Sequence, residues 1–190
     1  MASPVCAGDM EITAAAKAHA VPAQLLRAVV QVESGANPAR WRFEPHYRYL
    51  VNASTGRPFR RLSRDERSSE SPPQDFLAMP ASGQSRATEW IGQQCSWGPG
   101  QIMGAVAREH GFTGNFLELC TWGVGMDYAA MYLGVLYRRF VRSRPNRSWT
   151  DVIAAYNAGS PRLRRDGGYE NQGYVDKVLG HIENPAVLNA

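Results

Sequence analysis

The stretch Pro22-Ala-Gln-Leu-Leu-Arg-Ala-Val-Val-Gln-Val-Glu-Ser-Gly-Ala-Asn-Pro38 contains a helix, its stop and a carboxylate at the junction. Pro22 suits a first helical position, Leu25, Leu26, Val29, Val30 and Val32 make a broad apolar face, and Gly35 with Pro38 ends the helix. Glu33 falls one turn beyond Val29 and Val30. A carboxyl group on the apolar side of a helix loses hydration, which disfavours its charged form and moves its pKa toward the operating pH, so it can serve as a general acid. Taken alone, a Glu near a helix end is more often a solvated residue. Two other segments change that balance.

The first is Ser96-Trp-Gly-Pro-Gly-Gln-Ile-Met-Gly104, which opens a helical pattern through Ala105, Val106 and Ala107 toward His110. Its three glycines imply a backbone that turns sharply or lets a ligand come close. Gln101 can both donate and accept hydrogen bonds, as a sugar's amide and hydroxyl groups require. The second is Ala154-Ala-Tyr-Asn-Ala-Gly159, at the end of a helix that starts with Ser148 as N-cap and Asp151 three residues later. A tyrosine hydroxyl there can reach a catalytic carboxyl or a substrate oxygen. As isolated strings, one is a turn before a helix and the other a helix C-cap.

In order, Glu33-Ser34-Gly35, then Gly98-Pro99-Gly100-Gln101-Ile102-Met103, then Ala155-Tyr156-Asn157-Ala158-Gly159, followed by Tyr174, Val175 and Val178, these segments resemble the lysozyme-like lytic transglycosylases. The resemblance spans roughly residues 9 to 37 and 95 to 180. It implies a mainly α, lysozyme-like α+β fold with a small or irregular β element. It also implies that Glu33 is the sole catalytic acid and base, that Tyr156 points at it, and that Gln101 and Met103 line a sugar groove between the Glu33 helix and the other two motifs. Ser34, Gly98 and Asn157 complete the expected substrate-binding set, with Asn157 shaping its loop. The implied reaction cleaves the β-1,4 bond between N-acetylmuramic acid and N-acetylglucosamine and leaves a 1,6-anhydro sugar, with no metal and no cofactor.

The chain departs from that family in two places. Gly100 stands where a Met would flank the groove, which implies a wider groove. No Ser follows the Glu at the usual distance, where the chain reads Arg42-Phe-Glu-Pro-His-Tyr47. That stretch, together with Ser96 to Gly104, is similar to the phage N-acetylmuramidases with a Phe-Glu-x-His motif. Glu44 is thereby a second candidate catalytic residue, since a hydrolase places two carboxylates about the scissile bond whereas a transglycosylase needs one. The competing reading pairs Glu44 with Arg40, Arg42 or Arg48, and treats His46 as a loop-packing residue. A third possibility, of another class, is a wall-binding or virion module that performs no chemistry.

The remaining sequence sets the frame. Its 190 residues suit one domain, 1–190, with a sizeable core. Helices are expected over Met10 to Ala20 and over Asp127 to Val141, the latter packing Met131, Leu133, Val135, Leu136 and Phe140 as a central core helix. Thr55-Gly56-Arg57 suggests a hairpin turn within Tyr47 to Phe59. From about residue 60 to 83, Arg, Ser, Glu, Pro and Gln predict an irregular insertion, either a wall of the groove or a surface segment. The 21 Lys and Arg against 17 Asp and Glu concentrate at 57–67, 138–147 and 162–165. Such patches favour anionic polymers, and nucleic acid is set aside because no nucleic-acid-binding motif accompanies them. The expected partner is the peptidoglycan glycan strand, met by a monomer. Cys95 and Cys120 can bridge in an oxidising compartment or stay free, Cys6 is left over, and their spacing makes no metal set. No run approaches about 18 apolar residues and no export signal is legible, so no membrane insertion is expected. Synthesis in a host cytoplasm and action on periplasmic peptidoglycan, after holin-dependent release or from a virion, is the corresponding expectation.

Overall fold

In the computed structural model, residues 8–69 and 71–188 are described. In chain order the elements are α1 (Asp9–Ala18), α2 (Ala23–Ser34), β1 (Trp41–Phe43), α3 (Arg64–Ser68), α4 (Arg86–Gln93), β2 (Cys95–Trp97), β3 (Ile102–Met103), α5 (Gly104–Glu109), α6 (Trp122–Phe140), α7 (Trp149–Ala158) and α8 (Gln172–Leu179). Single 3-10 turns fall at Pro80–Ser82, Phe116–Cys120 and Pro185–Leu188. The chain is mainly α with one small antiparallel sheet. It divides into two compact units, one running through Ala36 and resuming at Met126, the other spanning Asn37–Gly125.

In the first unit, α2 packs on α1 and α8, and α8 also packs on α7. Pro22 is the N-cap of α2 and not its first helical residue, and Gly35 closes the helix at φ 65°, a left-handed turn that glycine adopts without steric cost. Leu25, Leu26, Val29 and Val30 are buried, each contributing about 1.5–3 kcal/mol, but Val32 is half-buried, so the apolar face is narrower than its sequence implies. The long helix α6 begins at Trp122, five residues before the expected start. The Thr121 hydroxyl accepts from the Val124 amide there and caps a first turn whose Gly123 and Gly125 disguise it in the sequence. Its buried stripe is Met126, Ala129, Ala130, Leu133 and Leu136, at spacings of three and four, whereas Met131, Val135 and Phe140 lie off that stripe and are only half-buried. The Ser148–Asp151 capping box starts α7 as its sequence predicts, and Gly159 ends it at φ 74°.

The second unit is organised by β1, β2 and β3, in that order across the sheet, with Trp41 opposite Trp97, Phe43 opposite Cys95 and Ser96 opposite Met103. Glycines let its backbones approach. A Cβ at Gly98, where φ is 71°, would lie 1.8 Å from the Leu119 carbonyl oxygen, and one at Gly104 would lie 2.0 Å from that of Gly92. The expected hairpin turn is present: the Asn52 amide donates to the Arg57 carbonyl and Gly56 takes φ 64°, while pairing is limited to a single bridge between Val51 and Pro58.

The insertion at 60–83 is more ordered than its composition suggests. Ser63 and Glu66 form a capping box on α3, and the Arg60 guanidinium binds both Glu66 and Asp75. Hydrogen bonding to Arg60 pulls Glu66 down to about 2, so this clamp stays charged through the neutral range. Phe76 then anchors the segment, fully buried beside Leu50, Leu62 and Trp90, with its ring edge-on to Phe59 and Trp90.

A buried polar network joins α4 to α5. Arg108 donates from Nε and Nη2 to the two oxygens of Glu89, each at 2.9 Å, with both side chains wholly excluded from solvent. Its Nη1 donates to the carbonyls of Phe112 and Gly114, and its guanidinium lies 4.2 Å from the centroid of the Phe116 ring. Gln93 donates to Glu89 and pairs with the backbone of Val51, which ties the network to the hairpin.

Candidate active site around Glu33

Glu33 occupies the last turn of α2 and is half-buried. The Tyr174 hydroxyl donates to its Oε1 at 2.6 Å, a short hydrogen bond between α8 and α2. Burial first, and the Glu33 charge second, push the Tyr174 phenol far above its ordinary value. The Tyr156 phenol on α7 is raised by the same causes in the same order, and by Tyr132 on α6, whose ring centroid is 5.5 Å from that of Tyr156. Both phenols therefore stay protonated through the neutral range, and Tyr174 acts as a donor.

Local sequence explains why Tyr174 arrives there. Asn171, the N-cap of α8, donates through Nδ2 to the Ala154 carbonyl and to Asn157 Oδ1, both at 3.0 Å. Asn157 thus fastens the start of α8 to the end of α7, while Val175 and Val178, one turn beyond Asn171 and Tyr174, are fully buried. Glu33, Tyr156 and Asn157, together with Tyr174, belong to one unit.

No protein-family model, curated protein or solved structure matches this chain.

Ser34, expected to contact substrate, lies buried at the end of α2. It is 4% exposed and its hydroxyl donates to the Val30 carbonyl at 3.1 Å, which secures the end of α2. Gly98, Gln101, Met103 and Glu44 lie in the second unit. Gln101, at the unusual φ of 49°, uses Nε2 to donate to the carbonyls of Arg40 and Gly98 and accepts from the Ser96 hydroxyl at Oε1. Its amide braces the turn between β2 and β3, and the glycines around it admit neighbouring backbone. Met103 is half-buried at the end of β3. Glu44 takes both its oxygens to Arg42, at 2.6 and 3.0 Å, in the ion pair that was one of its two sequence readings.

Tyr174 is the Glu33 partner that the motifs understate. They bring it in as a follower of the Ala-Tyr-Asn-Ala-Gly segment, and the carboxyl partner they imply is Tyr156. The available signal was the Asn171-Gln-Gly-Tyr174 start of α8, which sets a hydroxyl in the first turn of the helix. Tyr174→Phe is expected to lower any turnover that depends on the Glu33 carboxyl by about tenfold or more, the value of a hydrogen bond to a charged group, with KM close to wild type because the phenol orients Glu33. Steady-state kinetics would read this split.

Other features of the chain lie outside the site. A cavity of about 630 Å³ in the first unit is lined by Tyr137, Arg142, Arg144, Arg147 and Trp149 among others, and it includes neither Glu33 nor its tyrosines. Among the described residues no acidic, His or Cys cluster could hold a metal ion, and no helix is long and apolar enough to cross a membrane. Cys95 and Cys120 are free thiols, both raised first of all by burial, Cys95 to about 11, which leaves neither a ready nucleophile; Cys6 lies outside the described residues.

Proposed function

We propose that this chain is a peptidoglycan lytic transglycosylase that cleaves the β-1,4 bond between N-acetylmuramic acid and N-acetylglucosamine. The observation that carries the reading is the Tyr174–Glu33 hydrogen bond: a half-buried carboxyl held at one oxygen by a phenol that stays protonated, with Tyr156 close enough for the Glu33 charge to act on it. Such a group is oriented before substrate arrives, and orientation is a large part of general acid catalysis.

In the proposed reaction, protonated Glu33 gives its proton to the glycosidic oxygen as the bond from C1 to that oxygen breaks. The 6-hydroxyl of the same muramic acid then closes on C1, and its proton returns to the Glu33 carboxylate. Atoms balance without water, and one carboxyl serves both steps. The engagement of both Glu44 oxygens by Arg42 favours this one-carboxylate scheme over a hydrolase with a second acid.

Mass spectrometry of the muropeptides released from purified peptidoglycan tests the proposal. The expected products end in 1,6-anhydro-muramic acid. Products one water heavier would replace it with a hydrolytic muramidase in which Glu44 takes part. Binding without any released product would make the chain a wall-binding module.

A further inference from the structure

Strand β1 at the edge of the small sheet leaves two aromatic rings in the open. Trp41 is 58% exposed and Phe43 41%, so neither belongs to a core. Side chains alternate along a strand, which puts both on one face, about 7 Å apart along the strand.

The Trp41 ring is held from beneath. It stacks on Trp97, its cross-strand partner, with centroids 6.0 Å apart and planes at 25°. Trp97 is fixed by its Nε1, which donates to the Gly92 carbonyl at 2.8 Å, and it stacks on Phe116 at 5.6 Å and 7°. Phe116 in turn carries the Arg108 guanidinium of the buried network. An exposed indole on a column of three further planar groups loses little freedom when a ligand settles on it.

We infer that Trp41, flanked by Phe43, is a saccharide-stacking platform that takes the flat face of a β-linked N-acetylhexosamine ring. The axial C–H groups of such a ring carry slight positive charge and suit the negative face of an indole. The exposed residues leading into the strand, Asn37 and Arg40, are polar, which matches the hydroxyls and acetamido group at the rim of a sugar, whereas Arg42 alternates to the other face and pairs there with Glu44. The choice of glycan rests on the proposed function, whereas the stacking geometry does not.

The test uses full-length Glu33→Gln protein, so that ligand is not consumed, titrated calorimetrically with a soluble β-1,4-linked N-acetylglucosamine oligosaccharide. Trp41→Ala in that background is expected to weaken binding by about tenfold or more, and Trp41→Phe to recover part of the loss, because a flat ring remains. An unchanged circular dichroism spectrum confirms that the exposed substitution leaves the fold alone. Equal affinity in Trp41→Ala, no binding of the oligosaccharide to any form, or tighter Trp41-dependent binding of single-stranded DNA would each overturn the inference. Wall cleavage by wild type is scored separately. Cleavage without a Trp41 effect would remove the platform and keep the enzyme, and Trp41-dependent binding without cleavage would do the reverse.

Discussion

Glu33→Gln is expected to reduce release of muropeptides by about 10² or more while leaving the protein folded, because the substitution removes the only group through which the proposed mechanism moves protons. Gln keeps the volume of Glu and keeps an oxygen that can accept from Tyr174, so the contact between α2 and α8 survives. Leu25, Leu26, Val29 and Val30, which hold α2 in place, are untouched, and thermal unfolding should shift little. The informative comparison is with Tyr174→Phe, which retains the proton and loses the orienting donor. A graded series, with wild type above Tyr174→Phe and Tyr174→Phe above Glu33→Gln, is what an acid positioned by a phenol produces. A folded Glu33→Gln protein with near-normal release would end the assignment of Glu33 as the acid.

The parts of this molecule that were legible in its sequence are those governed by local rules. Ser148 and Asp151 announce α7, Gly35 announces the end of α2, and the turn at Thr55-Gly56-Arg57 follows from its residues, because caps and turns are decided within a few positions. The start of α6 was missed because Gly123 and Gly125 weaken the helical pattern while a single threonine caps it. The order within residues 60–83 was hidden for a different reason. It depends on Arg60 meeting Asp75 and on Phe76 finding Leu50 and Trp90, which are partners distant in sequence. The candidate site divides along the same line. Glu33 could be read from its place at a helix stop, but its hydroxyl partner is 141 positions away, and sequence spacing cannot choose between Tyr156 and Tyr174. Gln101 could be noticed as a versatile hydrogen-bonding group, yet only the positions of the Arg40, Gly98 and Ser96 atoms show that its amide braces a turn.

Arg108→Met should cost the second unit about 3–5 kcal/mol, seen as a large fall in the urea midpoint for the unfolding transition reported by tryptophan fluorescence. The substitution leaves Glu89 a charge excluded from solvent with Gln93 as its remaining neutral donor, and it orphans the carbonyls of Phe112 and Gly114. Removing the second charge as well, in Arg108→Met with Glu89→Leu, should restore a substantial part of that loss, since an apolar pair avoids the desolvation that the ion pair must offset. Recovery should stay incomplete, because the two carbonyls still lack the guanidinium donor and Gln93, having lost Glu89, keeps only its bonds to the Val51 backbone. If the double variant were no more stable than Arg108→Met alone, the cost would lie in those backbone contacts and not in the stranded carboxylate. The same pair of variants bears on the glycan platform. Arg108 lies against Phe116, Phe116 against Trp97 and Trp97 against Trp41, so a column that loses its guanidinium base should hold the exposed indole less firmly and bind the oligosaccharide more weakly even where the unit remains folded.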